Sequence, residues 1–134
     1  MTVGVALSDA PAGTAALGAA VREATLRATP LAVLHVVDTS EHAADAGLNA
    51  RVEESVRERL GTLGAPAGLS WELVTGATQG SLPDVLLELA EQAGVDLLVI
   101  GTRKRSAVGK LLMGSNAQRI LLDANCDVLA VKPS

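Results

Sequence analysis

Apolar residues fall along this chain in two styles: short unbroken runs, and longer stretches where they return at roughly every third or fourth position. The run VGVAL (3–7) is rich in β-branched residues and stops at Ser8, Asp9 and Pro11, which reads as a strand meeting a helix start. Residues 12–28 carry Leu17, Val21 and Leu26 at helical spacing and end ahead of Pro30. LAVLHVVD (31–38) is apolar but for His35 and its final Asp38, as expected of a strand buried on both faces. After a small, polar, weakly patterned segment (39–50), Val52, Val56, Arg59, Leu60 and Leu63 set a second helical spacing with charges opposite. GAPAG (64–68) breaks that helix, LSWELVT (69–75) alternates like a strand covered on one side, and GATQG (76–80) reads as a turn. A third helix is expected over 81–94, with Pro83 in its first turn and Val85, Leu86, Leu89 and Ala90 as its buried stripe. VDLLVI (95–100) is another buried strand, 114–124 a last helix and DVLAVK (127–132) a last strand.

The order is βαβαβαβαβ, without a linker or an internal repeat. Such alternation predicts an α/β three-layer sandwich, a parallel sheet with helices on both faces. Ligands then belong at the carboxyl ends of the strands, in the loops after Leu7, Val37 and Ile100.

Composition narrows the chemistry. The 134 residues fit one domain, and an apolar share of 49% is enough for a core. With no Phe or Tyr and one Trp, that core is aliphatic, which argues against stacking platforms for single-stranded nucleic acid. A net charge of −4 disfavours nucleic-acid and anionic-membrane surfaces. Cys126 is the only cysteine, so neither an internal disulfide nor a cysteine metal cluster can form. The first residues lack the pattern of a signal peptide and no apolar run is long enough to span a bilayer; the expected compartment is the cytoplasm.

Candidate chemistry concentrates in VIGTRKRSAVGKLLMGSNAQRIL (99–121), where a strand end, four cations and a Gly-Ser helix start follow one another. Gly101 has two readings, a tight turn or close approach of backbone to a ligand. Ser115 reads as an N-cap, and the same helix start offers N–H groups and a dipole to phosphate. Arg103, Lys104, Arg105 and Lys110 add donors for charge-assisted bonds, or form a solvated basic loop. His35 is read as a core or rim residue, His42 has no carboxylate partner at suggestive spacing, and Cys126 is read as buried. Asp9 lacks the neighbouring acidic pair of a phosphoacceptor, and no Ser–His–Asp order or metal-ligand cluster supports a hydrolase.

LHVVD, VDLLVIGTR, GKLLMGSNAQRIL and the closing CDVLAVK, in this order over essentially the whole chain, resemble the universal stress protein family. The resemblance implies a five-stranded parallel sheet in the order 3-2-1-4-5, a Rossmann-like arrangement, and a homodimer formed through the last strand. It also implies a stress-response role and, in many members, ATP bound through G-x2-G-x9-G-(S/T). Here that frame reads Gly101, Lys104, Gly114, Ser115, with lysine in place of the second glycine. The family's acid at the end of the first strand, which contacts the adenosine end, is replaced by Ser8, with Asp9 next to it. Val36 matches the position that packs on adenine and Ile100 the apolar position before the first glycine. The implied ligand set is thus Ser8, Asp9, Val36, Ile100, Gly101, Lys104, Gly114, Ser115 and Asn116, for ATP or another adenine nucleotide, with magnesium where ATP binds. Three functions stay open: a nucleotide-binding stress module, an interaction module without nucleotide, and, ranked last, slow ATP hydrolysis.

Overall fold

A computed structural model of the chain describes residues 1–8, 10–38, 47–78, 81–102 and 114–133. Five strands, β1 (Val3–Ala6), β2 (Leu31–Asp38), β3 (Trp71–Thr78), β4 (Leu97–Gly101) and β5 (Asp127–Val131), alternate with four helices among these residues. The helices are α1 (Pro11–Arg27), α2 (Leu48–Thr62), α3 (Leu82–Gln92) and α4 (Ser115–Asp123). All strand pairs are parallel and the sheet order is β3-β2-β1-β4-β5. The chain winds outward from β1 to β3, then returns to lay β4 on the other side of β1. The strand order therefore reverses between β1 and β4, and the crevice expected of such a reversal opens at their carboxyl ends.

Two aliphatic cores sandwich the sheet. Val3, Val5, Leu31, Val33, Leu97 and Val99 point to one face, under Leu17 and Val21 of α1 and Val56 and Leu60 of α2. Ala32, Leu34, Leu98 and Ile100 point to the other, under Leu86, Leu89 and Ala90 of α3 and Ala117 and Ile120 of α4. Alternation within strands whose consecutive positions are largely apolar is what lets one sheet feed two cores.

The boundaries depart from the sequence expectation where tertiary contacts decide them. Residues 76–78 are strand rather than turn: β3 pairs with β2 over its full length, through Val36↔Gly76 and Val37↔Ala77. β3 is also covered on both sides, because Leu73 packs against the first core and Val74 against the second. Leu26, placed on the buried face of the first helix by its spacing, is 80% exposed; Ala16, Ala19, Ala20 and Ala24 fill the α1 interface instead. Small residues let α1 lie close to the sheet.

Candidate functional site

The site begins with two helix starts aimed at the crevice between β1 and β4. α1 opens at Ala10 with Pro11 inside its first turn, a position where a missing N–H costs nothing. α4 opens at Gly114, with φ 81° and ψ 150°, backbone geometry that glycine alone adopts without strain. Neither start has a side-chain cap or an acidic residue in its first turn. The first N–H groups of a helix have no partner within it, and aligned peptide dipoles make that end positive. In α4 the Gln118 N–H reaches the Gly114 carbonyl at 3.1 Å; the N–H groups of Ser115, Asn116 and Ala117 come before it. The expected cap at Ser115 is therefore corrected. Gly114 is the N-cap, Ser115 is the first helical residue, and its hydroxyl does not close the helix end.

Around these starts lies a cleft of about 350 Å³. Its floor is Ala6 and Leu7 at the end of β1 and Ile100, Gly101 and Thr102 at the end of β4. Gly114, Ser115 and Asn116 form one wall, Ala10, Ala12 and Gly13 another, and Ser8 stands at the rim. Thr102 was not singled out by the sequence, yet at 3% exposure it is the only buried polar residue among those described. Its N–H donates to the Val131 carbonyl at 2.9 Å, fixing the end of β4 to β5 directly below the cleft.

Gly101 has a reason that neither expectation supplied. A Cβ there would lie 2.6 Å from the Ala12 carbonyl carbon and 2.5 Å from its oxygen, so glycine admits the backbone of α1 beside β4. Gly13 does the same on the other side, where a Cβ would strike the carbonyl of Ser8. The two glycines bring the α1 N-terminus onto the sheet edge.

A second cleft, of about 280 Å³, adjoins the first and shares Leu7 and Ser8 with it. Its remaining lining is His35 and Val36 at the end of β2, and Arg51, Val52, Ser55 and Arg59 of α2. The Arg59 guanidinium donates through Nη2 to the Ser8 carbonyl at 3.0 Å and to Thr14 Oγ1 at 3.4 Å. Ser8 Oγ accepts the Ala10 N–H at 3.1 Å, a local turn that leads the chain into α1. Arg59 was visible in the sequence only as a cation at a core-facing spacing in the second helix. His35 is half-buried at this rim, as expected.

Of the nine residues expected to form the site, Ile100, Gly101, Gly114, Ser115 and Asn116 meet in the first cleft, Ser8 sits between the two and Val36 lies in the second. Asp9 and Lys104 lie outside the described residues, as do Arg103, Arg105, Lys110 and His42. Cys126 is remote from this edge, half-buried between α3 and α4. Burial, reinforced by the charge of Asp127, pushes its thiol above the ordinary 9.0 and so away from the reactive thiolate. No cluster of His, Cys, Asp and Glu suited to a metal is found among the described residues. No helix among them is long and apolar enough to cross a membrane.

Comparison with known proteins places this architecture. The model of the universal stress protein family matches residues 1–132. A universal stress protein of Mycolicibacterium smegmatis is 38% identical, over 96% of this chain and 95% of its own. Among solved structures, a universal stress protein from Archaeoglobus fulgidus superposes with a TM-score of 0.77 at 28% identity, covering 98% of each chain. One from Archaeoglobus fulgidus in complex with dAMP gives 0.72 at 22% identity, again over 98% of each chain. A universal stress protein in complex with cAMP gives 0.72 at 23%, over 100% of this chain and 98% of its own.

Proposed function

The chain belongs to the universal stress protein family, and from that premise we propose that it binds an adenine nucleotide at the carboxyl edge of the sheet. The observation that carries this reading is the start of α4. A nine-residue helix opens on a cleft through a glycine, with neither a side-chain cap nor a first-turn acid. A phosphate there would accept the N–H groups of Ser115 and Asn116 and offset the helix dipole. Ile100 and Gly101 would floor the ribose, and Val36, in the adjoining cleft, would pack on the base. The solved relatives that hold dAMP and cAMP support an adenine nucleotide as the ligand class. Where ATP is the ligand, magnesium would be carried chiefly by its phosphates, as small hard cations commonly are.

The role proposed is binding without rapid turnover, in a homodimer that takes part in a stress response. β5 is an edge strand, paired with β4 on one side, and its other edge suits pairing with a second copy. Sedimentation near twice the chain's 13.6 kDa would support the dimer, and a monomer at high concentration would remove it. Calorimetric titration with AMP and with ATP, each with and without magnesium, tests the central reading. Saturable heat is expected, and none at millimolar nucleotide would overturn it.

A second reading, an interaction module without nucleotide, is favoured by one observation. The residue at the acid's place is Ser8, and its hydroxyl is already engaged by Ala10. That reading expects a silent parent chain and a gain of ATP affinity when Ser8→Asp and Lys104→Gly are combined. ATP binding by the parent with little change in the double variant removes it.

A further inference from the structure

We infer that the groove between the carboxyl half of α1 and the turn leaving α2 is a binding site for an amphiphilic carboxylate, an anion with an extended apolar chain. The groove reaches Pro30 and Ser70, which precede β2 and β3, so it lies at the amino edge of the sheet, opposite the nucleotide clefts. The inference does not depend on the nucleotide reading. Two clefts of about 450 and 430 Å³ adjoin there and share Thr25 and Pro66. Each has a volume common for a small-molecule site, roughly 300–1,000 Å³. Their described lining is uncharged with one exception, Arg22. Leu26 and Leu63, both exposed, stand on the larger cleft. An apolar chain laid across them would take that surface out of water.

Charge selects the head group. The Arg22 guanidinium has no ion pair or hydrogen bond among the described residues, whereas Arg27 on the same helix is matched by Glu23 at 3.7 Å. An unpaired cation beside an uncharged trough fits one anion with an apolar tail. The fold also sets the ligand's direction. The last carbonyls of α1 make that end of the groove negative, which favours the carboxylate at Arg22 and the chain toward Ala28 and Leu69. Gly18 points the same way. It stands in the middle of α1, where glycine is a poor helix former. A Cβ there would meet only Leu63 Cδ2 at 3.6 Å and Arg22 Nη1 at 3.7 Å, ordinary contacts both. Packing within the chain therefore does not require glycine, and its effect is to keep the trough open beside the guanidinium.

The test is an amide ¹H–¹⁵N titration of the full chain with decanoate and with decylamine, each below its micellar concentration, repeated on Arg22→Gln and Gly18→Leu. Decanoate is expected to shift Gly18, Thr25 and Gly64 to saturation and to leave Ser115 and Asn116 in place. It should bind about five-fold more tightly than decylamine, the scale of one exposed charge pair, and Arg22→Gln should remove that preference. Gly18→Leu improves helix propensity while filling the trough; it should abolish saturation by decanoate with the fold intact by circular dichroism. Equal binding of the two probes by the parent chain, or binding of neither, overturns the inference. A preference that survives Arg22→Gln, or binding that survives Gly18→Leu, does so too. Shifts confined to the start of α4 would put the carboxylate in the nucleotide cleft and also overturn it. If Gly18→Leu instead lowers the sedimenting mass, a second copy covers the groove and the inference falls.

Discussion

Two helices start at the carboxyl edge of this sheet with the same dipeptide, Gly-Ser, and use it in opposite ways. Before α3, Ser81 is the N-cap: its hydroxyl accepts the Asp84 N–H at 3.4 Å, and the Asp84 carboxylate lies in the positive first turn. Before α4 the boundary sits one residue earlier relative to the dipeptide. Gly114 is the N-cap, Ser115 has moved inside the helix, and the first turn holds Asn116 in place of an acid. α3 satisfies its own N-terminus and α4 leaves that task to something else. A single residue of phase separates a structural helix start from one suited to an anion.

That contrast can be broken most forcefully at Gly114. Gly114→Ala forces a Cβ into a backbone region reserved for glycine, at a cost of about 1–3 kcal/mol. Urea denaturation should show that loss and calorimetry a loss of nucleotide affinity; unchanged stability would mean that the helix start has another geometry. Asn116→Asp separates the two roles. An acid in the first turn should steady α4 by about 0.3–1 kcal/mol while opposing phosphate, so thermal stability rises as AMP affinity falls by roughly ten-fold. A variant that binds AMP as well as the parent would detach the phosphate from this helix.

The matching change at α3 should behave differently. Ser81→Ala removes a cap that α3 uses for itself, costing about 1 kcal/mol of stability with no effect on nucleotide affinity. A change in affinity would show that the two helix starts are coupled. The two helices share the second core, through Leu86 and Ala117 among others, and are joined by charge at Arg119, whose Nη2 lies 2.9 Å from Asp84 Oδ1 and whose Nε lies 3.3 Å from Asp123 Oδ2. These groups are about half-exposed, and solvent screening leaves such pairs little weight. Arg119→Ala should therefore change stability by less than about 1 kcal/mol; a larger loss would mark the α3–α4 contact as cooperative.

The sheet was legible because its strands are apolar at consecutive positions, a pattern that requires two covered faces and hence two helical layers. LAVLHVVD declares β2, and the alternation of elements then fixes parallel pairing. The family resemblance supplied the strand order, and it named Ile100, Gly101, Gly114, Ser115 and Asn116, which line the first cleft together with residues it did not name. What stayed hidden depends on contacts between distant residues. Nothing near Gly101 in the chain reveals that the Ala12 backbone needs the space of its missing side chain. Arg59 and Ser8 are 51 positions apart, and Thr102 reaches Val131 across 29. Leu26 fits a helical stripe but faces solvent, because alanines make the closer interface. Ser115 was misplaced by one position because a Gly-Ser pair carries no mark of which residue begins the helix.

The most direct measurement is an amide ¹H–¹⁵N titration with AMP. The N–H resonances of Ser115, Asn116 and Ala117 should shift most and saturate together, while those at the capped start of α3, Asp84 and Val85, stay in place. Shifts confined to other parts of the chain, with the α4 start unmoved at saturating AMP, would contradict the placement of phosphate on this helix.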